Sequence, residues 1–165
     1  MTSSLEKIKA CLNPKWVLSG IESENLKEDD LHQIVKIKAD GIPYLLFELD
    51  RKKEDPFPFF SDHSGMKLRT DYLLFTESKG SIFVFSIELK SGGEKKARPQ
   101  ILATKEFSIF LFERIQFVQN IGLKPKYFGI ACIPNAKANI SSKVFNEKKI
   151  AVNGGKELYL KRYVL

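Results

Sequence analysis

Residues 71–90, DYLLFTESKGSIFVFSIELK, predict the β-hairpin around which the rest of the fold is organised. Two apolar runs flank a turn signal at residues 78–80. Polar residues interrupt runs that would otherwise be pure core: Asp71 stands at the start of the first strand, and Glu88 and Lys90 stand at the end of the second. This end of the hairpin is therefore the first place to look for function.

Strand geometry places the polar residues relative to one another. Side chains alternate between the two faces of a strand, so Glu88 and Lys90 share a face. If the loop of the hairpin is even-numbered, Asp71 falls opposite Ser86 and joins that face. An odd-numbered loop would place Asp71 on the other face unless a β-bulge corrected it. The prediction of a three-residue cluster thus depends on the turn.

The tripeptide Asp/Glu-x-Lys is a weak signal by itself because it occurs five times in the chain. The five pairs are Asp50–Lys52, Glu77–Lys79, Glu88–Lys90, Glu94–Lys96 and Glu147–Lys149. Four of them lie in charged stretches typical of turns or surface. Only Glu88–Lys90 follows an apolar strand, so its context carries the information.

Two carboxylates and an amine on one sheet face have a clear chemical use. Carboxylate oxygens are hard ligands that suit Mg²⁺ or Mn²⁺, and the backbone carbonyl of Leu89 can complete the ligand set beside Asp71 and Glu88. Such a metal lowers the pKa of a bound water and neutralises charge on a phosphate. Lys90 can orient or deprotonate that water and stabilise the anionic transition state.

Elements before the hairpin follow from periodicity and breakers. Residues 3–12 predict a helix capped by Ser3 or Ser4, and the acidic segment 22–30 predicts a solvated helix or loop. Residues 31–37 fit either a helix end or a first strand. Asp40 and Gly41 signal a turn, residues 44–49 predict a strand, and the prolines of residues 56–60 allow an edge strand at most.

Elements after the hairpin complete the pattern. A long helix is predicted from Pro99, as its first residue, to about Ile121. Residues 127–133 are apolar on both faces, as a central strand requires, and strand, helix and strand together suggest a βαβ crossover. Residues 149–152 and 157–164 predict a terminal β-hairpin around Asn153-Gly154-Gly155. The 165 residues suit a single domain over residues 1–165.

This arrangement of Asp71, Glu88 and Lys90 on a hairpin, followed by a long helix and a buried strand, resembles the PD-(D/E)XK nuclease superfamily. The resemblance covers roughly residues 42–133 and implies an α/β (α+β) fold with a restriction-endonuclease-like αβββαβ core. It implies a mixed central sheet flanked by helices, to which the terminal hairpin would be added. Thr70 stands where many members have proline.

The resemblance also implies functional residues and a cofactor. Asp71 and Glu88 match the metal-binding acids, Lys90 matches the lysine, and Mg²⁺ (or Mn²⁺) is the expected cofactor. Gln100 matches a glutamine that several members carry early in the next helix, although an exposed polar residue fits equally well. Many members carry a further acid upstream. The candidates for it are Glu22, Glu24, Glu28 and Glu48.

Charge favours a polyanionic partner. Lysine and arginine exceed aspartate and glutamate by seven (27 against 20), which favours nucleic acid but is common in intracellular proteins. The basic residues nearest the hairpin's functional end are Lys67, Arg69, Lys95, Lys96 and Arg98. They are candidates for binding a phosphate backbone, and a solvated charge run is the equal alternative. His63, in a polar loop, is more simply an exposed residue than a ligand of phosphate or water.

We therefore expect a metal-dependent nuclease that hydrolyses DNA phosphodiester bonds. Cleavage of both strands of a duplex favours a homodimer or a partner protein that supplies recognition, because 165 residues leave little for a separate specificity domain. The resemblance implies a role as nuclease subunit of a restriction or anti-phage defence system. The alternative is a catalytically inactive nuclease-fold module that binds nucleic acid or assembles with a partner. A third interpretation is an interaction subunit that uses residues 56–60 and the terminal hairpin.

Two distant cysteines, no secretory signal and no run long enough to span a membrane predict a cytoplasmic protein without membrane attachment.

Overall fold

The computed structural model describes residues 3–18, 25–28, 33–51, 54–138 and 149–164. The elements, in chain order, are α1 (Ser4–Ala10), β1 (Val17–Leu18), β2 (Asn25–Glu28), β3 (Gln33–Lys38), β4 (Tyr44–Glu48), β5 (Tyr72–Ser78), β6 (Ser81–Leu89), α2 (Glu94–Gln119), β7 (Pro125–Cys132), β8 (Ile150–Asn153), β9 (Glu157–Tyr159) and α3 (Lys161–Val164). A 3-10 turn, Pro14–Trp16, connects α1 to β1. The protein is a mixed α/β fold.

The strands of the described residues form two sheets. The larger sheet has the order β1-β4-β5-β6-β7-β8, in which β4, β5 and β6 pair antiparallel while β7 and β8 continue in parallel with β6. The smaller sheet has the order β2-β3-β9. The chain thus passes from β6 through α2 to the parallel strand β7, which confirms the strand–helix–strand crossover expected from the sequence.

Different elements cover the two faces of the larger sheet. α1 and α2 pack on one face, where Phe112 and Ile115 meet β-strand residues such as Phe75 and Val84. The smaller sheet and α3 cover the other face through Val35, Ile37 and their neighbours. The sequence predicted helices around the sheet. Helix packing is observed on one face, and the second face is covered mainly by another sheet.

The first helix follows its capping signal. The Ser3 hydroxyl accepts from the Glu6 N–H at 3.2 Å, and the Glu6 carboxylate accepts from the Ser3 N–H at 3.1 Å. This capping box satisfies two N–H groups that would otherwise lack partners. Leu5 and Ile8 are the buried residues of the helix. The predicted helix at residues 3–12 is therefore confirmed, two residues shorter at its end.

The long helix starts earlier than its proline suggested. α2 begins at Glu94, so Pro99 lies inside the helix rather than at its first position. Proline removes one intrahelical hydrogen bond, but Ala97 and Ile101 on either side of it are buried against the sheet. Tertiary packing of this kind supplies most of the stability of helices in proteins. Lys95, Lys96 and Arg98 consequently belong to the first turns of α2.

The described parts of the acidic segment and of the following stretch are strands. β2 lies within residues 22–30, where a solvated helix or loop was predicted, because Leu26 is fully buried and pairs opposite Val35. The open choice for residues 31–37 resolves, from Gln33 onward, to strand β3. Residues 56–60 form a turn rather than an edge strand.

The predicted terminal hairpin is wrong. β8 pairs with β7 in the larger sheet, whereas β9 pairs with β3 in the smaller one. All four residues of β8 are buried, although β8 is the edge strand of the larger sheet. Gly154 lies against the chain after β7, so closely that a Cβ there would stand 1.8 Å from the Ala136 carbonyl oxygen. Packing between distant segments thus overrides the local turn signal.

Candidate functional site

The β5–β6 hairpin brings Asp71 to Glu88. Its loop is the two-residue turn Lys79-Gly80, with φ angles of +49° and +68°, the geometry that matches the twist of a hairpin. Tyr72 pairs with Ile87, so the residue before Tyr72 comes opposite the residue after Ile87. The loop is even-numbered, as the prediction required. The register is shifted by two residues, and Asp71 faces Glu88 instead of Ser86.

Glu88 contacts both Asp71 and Lys90. The Asp71 N–H donates to Glu88 Oε2 at 3.2 Å, and the Leu89 N–H donates to Asp71 Oδ2 at 2.7 Å. Lys90 Nζ lies 2.5 Å from Glu88 Oε1. The three residues that sequence reasoning selected therefore form one cluster. Leu89 joins it through its N–H, and metal ligation by its carbonyl stays a prediction.

The cluster is buried in an unequal way. Glu88 has no exposed surface, Asp71 is 6% exposed, and the Lys90 side chain is 30% exposed. Burial raises the pKa of Glu88, and the ammonium group of Lys90 and the Asp71 N–H offset part of that rise. Solvent or a substrate would reach this cluster from the side of Lys90.

The second and third turns of α2 lie over the start of β5. Gln100 Nε2 donates to the Arg69 carbonyl oxygen at 3.0 Å. Thr104 Oγ1 accepts from the Thr70 N–H at 2.7 Å, and both threonines are buried. These contacts fix the backbone just ahead of Asp71. Gln100 thus positions the chain that enters the cluster, and its contact with water or phosphate stays a prediction.

The loop basic residues are paired with acids. Lys67 Nζ lies 2.8 Å from both Asp55 and Asp62, and these hydrogen bonds raise its pKa. Arg69 Nη2 lies 2.7 Å from Asp50. Such pairs brace the loop that leads into β5, and phosphate would have to compete with them.

The helix basic residues are more open to solvent. Lys95, Lys96 and Arg98 are exposed on the first turns of α2, where Arg98 Nη1 stands 3.9 Å from Glu94. Helix N-termini and cations both favour phosphate. His63 is exposed, with Nδ1 3.2 Å from the Ser64 carbonyl oxygen.

The upstream acid is not identified by its contacts. Glu48 lies 3.1 Å from Arg51, and Glu28 belongs to β2. Glu22 and Glu24 lie outside the described residues. Within the described ranges, no group of three or more His, Cys, Asp or Glu residues is arranged to hold a metal ion.

Two residues near the cluster were missed by the sequence analysis. The Asp50 N–H lies 3.3 Å from the Asp71 carbonyl oxygen, and the Asp50 charge contributes to the raised pKa of Glu88. Gln33 Nε2 donates to the Cys132 carbonyl oxygen at 2.9 Å, and the Lys90 N–H donates to the same oxygen at 3.0 Å. The signal for Asp50 was its place just after strand β4, opposite the start of β5.

Cys132 lies beside the cluster without the properties of a nucleophile. It is fully buried, and burial raises the pKa of its thiol to about 12. A thiol with this pKa stays protonated at neutral pH, so it does not supply the reactive thiolate.

Comparison with known proteins identifies no relative: no protein-family model, curated protein or solved structure matches the chain. In the part of the chain that the structure describes, no helix is long and apolar enough to cross a membrane.

Proposed function

We propose that the protein is a metal-dependent nuclease that hydrolyses phosphodiester bonds in DNA. The observation that carries the proposal is the contact of Glu88 with both Asp71 and Lys90 at one end of the β5–β6 hairpin. With the three strands β1–β3 between α1 and β4 set aside, the order α1, β4, β5, β6, α2, β7 supports it, because a PD-(D/E)XK core has helix, three strands, helix and strand in that sequence. The excess of seven basic charges is consistent with a nucleic acid substrate.

The residues present fit a hard divalent cation in ligand type. Asp71 and Glu88 supply carboxylate oxygens, and Mg²⁺ commonly binds through one or two carboxylates while water and substrate phosphate fill its other positions. Such a metal, when bound, would neutralise charge on the phosphate and lower the pKa of an attacking water. The pKa of Glu88, raised by burial, indicates a carboxylate whose charge is incompletely compensated by Lys90 alone.

The side chains of the chain have separate tasks in this proposal. Asp71 and Glu88 would hold the metal ion. The Asp71 carboxylate is fixed by the Leu89 N–H at 2.7 Å. Lys90, partly exposed beside Glu88, orients the attacking water and stabilises negative charge that develops on the phosphate oxygens. Gln100 and Thr104 keep the backbone at Asp71 in position.

The direct test is cleavage of plasmid and single-stranded DNA with Mg²⁺ or Mn²⁺. We expect Asp71→Asn and Lys90→Met to lower the cleavage rate by about 10²–10³-fold, the usual loss when one stabilising group is removed from a transition state. Lys79→Met is the matched control because Lys79 also follows a Glu-x pair but lies exposed at the opposite end of the hairpin. This control retains the wild-type rate.

The outcome that contradicts the proposal is cleavage that persists in both Asp71→Asn and Lys90→Met. Thermal unfolding of each variant separates loss of chemistry from loss of fold. Addition of EDTA must also stop cleavage by the wild-type protein.

A second candidate is a nuclease-fold module that binds nucleic acid or a partner protein without chemistry. It is favoured by the pairing of Glu88 with Lys90 at 2.5 Å, by the complete burial of Glu88, and by the presence of two rather than three gathered acids in the described ranges. Metal-independent DNA binding at low salt with no cleavage under any metal condition would favour this candidate over the nuclease.

A further inference from the structure

A second polar feature lies at the same end of the larger sheet. The start of β3, the loop after β7 and the connection from β8 to β9 border a cavity of about 310 Å³. The parallel strands β6, β7 and β8 all end on this side. Ligand sites of α/β sheets are found outside the carboxyl ends of parallel strands. The cavity is at the lower end of the size range of ligand pockets.

The cavity lies next to the cluster of Asp71, Glu88 and Lys90, and one backbone carbonyl joins the two. The Cys132 carbonyl oxygen accepts both the Gln33 side-chain amide at 2.9 Å and the Lys90 N–H at 3.0 Å. Gln33 lines the cavity, and Lys90 belongs to the cluster. The two places therefore meet at the Cys132 carbonyl oxygen, at the end of the larger sheet.

The walls of the cavity are held by specific contacts. The Ile133 N–H donates to the Asn153 carbonyl oxygen at 2.9 Å, and the Asn135 N–H donates to the Gly154 carbonyl oxygen at 3.2 Å. The buried side chain of Asn153 donates to the Gly155 carbonyl oxygen at 3.2 Å. Together with the close approach of Gly154 to Ala136, these bonds fix the shape of the site.

The lining chemistry suits a nucleotide. Gln33 and Asn135 carry amides, which recognise the polar edges of bases, and Ile34 and Pro134 provide apolar contact. Gln33 is 8% exposed, and its Oε1 has no hydrogen-bond partner in the described part of the chain. A buried acceptor without a partner costs free energy, which an amino group of a base would recover.

A cation completes the lining. Lys156 is exposed at the rim, and among the described residues no acid lies within 4.0 Å of its ammonium group. Its backbone is fixed by the Lys36 N–H, which donates to the Lys156 carbonyl oxygen at 2.8 Å. Lys156 is therefore placed to contact a phosphate group.

We propose that this cavity binds one nucleotide of the DNA strand, with its base against Gln33 and Asn135 and a phosphate at Lys156. The proposal rests on the proposed nuclease function, and it makes the cavity the site that holds the strand next to the scissile phosphate. Binding of a nucleotide in the cavity involves no bond cleavage, so it can be measured without metal.

The test is titration of the ¹⁵N-labelled protein with each of the four deoxynucleoside 5′-monophosphates in the absence of metal, followed by NMR. We expect the amide signals of Asn135, Gly154 and Gly155 to shift in a saturable manner. Lys156→Ala and Asn135→Gly should each weaken binding by about ten-fold, the effect of about 1.4 kcal/mol. Glycine is suited to position 135 because Asn135 has a φ of +61°.

Lys124→Ala is the control, since it removes an exposed lysine just before β7, at the other end of that strand, and should leave the affinity unchanged. Inorganic phosphate alone should bind more weakly than the nucleotides. Absence of shifts around the cavity, or equal affinity for phosphate alone, overturns the nucleotide site even if Lys90→Met abolishes cleavage. Nucleotide binding at the cavity without any metal-dependent cleavage overturns the nuclease and leaves the site standing.

Discussion

The two faces of strand β6 in the larger sheet carry buried side chains of different type, aromatic on one face and polar on the other. One face carries Phe83 and Phe85, which stack with Phe128 at centroid distances of 6.1 and 5.6 Å. The other face carries Ser86 and Glu88, which are both buried beneath the α2 side. Successive side chains of a strand point to opposite faces, so a single strand serves both purposes.

The two faces therefore contribute differently to the free energy of unfolding and to the proposed cleavage reaction. The aromatic face buries large apolar surface, at about 1.5–3 kcal/mol for each fully buried side chain. The α2 face buries a carboxylate, which costs free energy unless it is paired, and Lys90 provides that pairing at 2.5 Å. Substitutions on the two faces should therefore affect different measurements.

The largest effect on stability is expected from Phe85→Ala. Phe85 has no exposed surface, and truncation of such a residue usually costs about 3–5 kcal/mol. Phe117→Ala is the matched control, since Phe117 is 81% exposed and its loss should change stability by about 0.5 kcal/mol or less. Urea unfolding measures both values.

Cleavage by the Phe85→Ala protein that remains folded should match the wild-type rate, because Phe85 lies on the face away from Glu88. A cleavage defect per folded molecule, or a stability loss no larger than that of Phe117→Ala, would contradict the division between the faces.

Local rules predicted the β5–β6 hairpin but not the tail. The turn at Lys79-Gly80 connects two strands that are each other's neighbours, so turn chemistry and alternation suffice. In the tail, Gly154 has a turn-like context, yet β8 and β9 belong to different sheets. Their partners, β7 and β3, are far away in sequence, and no local pattern specifies such pairing.

The same limit applies to the candidate site: residues on neighbouring strands could be predicted, and residues from distant segments could not. Asp71, Glu88 and Lys90 lie on neighbouring strands, so the parity of one loop was enough to place them together. Gln33 and Asp50 reach the cluster from β3 and from the end of β4, and their contacts run to the Cys132 and Asp71 carbonyl oxygens. A backbone carbonyl leaves no signature in the sequence, so Gln33 could not be selected, and Asp50 was signalled only by its place just after strand β4.

A smaller effect on stability is expected from Gly129→Ala, which tests how closely α2 must pack over the cluster. A Cβ at Gly129 would lie 2.3 Å from Ile101 Cγ2, so the helix or the side chain must move. Overpacking of this kind usually costs about 1–3 kcal/mol. Because Ile101 follows Gln100, which fixes the chain before Asp71, we expect the cleavage rate to fall as well.

Gly122→Ala is the control for this substitution, since a Cβ there meets nothing within 4 Å. Ile101→Leu removes the clashing Cγ2 methyl group at equal volume, and in the Gly129→Ala background it should restore part of the lost stability. Equal unfolding curves for Gly129→Ala and Gly122→Ala would show that α2 is not held against β7 at this point.

The smallest effect on stability is expected from Glu88→Gln. It appears as a change in how the free energy of unfolding depends on pH. The pKa of Glu88 is raised in the folded state, chiefly by burial, so the folded protein binds this proton more tightly than the unfolded chain does. Stability attributable to Glu88 is therefore greatest below the unfolded pKa of about 4.3 and falls as pH rises toward the folded pKa. Glutamine does not titrate, so the variant loses this part of the slope.

Urea unfolding of both proteins between about pH 4 and pH 8 measures the difference in free energy of unfolding between wild type and Glu88→Gln. As pH rises, the variant should become more stable relative to the wild type, because the neutral amide avoids the cost of a buried charge. Glu106→Gln, on the exposed side of α2, controls for the loss of one surface carboxylate and should leave the slope unchanged. If the wild-type and Glu88→Gln curves stay parallel over this range, Glu88 does not carry the buried charge that distinguishes the α2 face from the aromatic face.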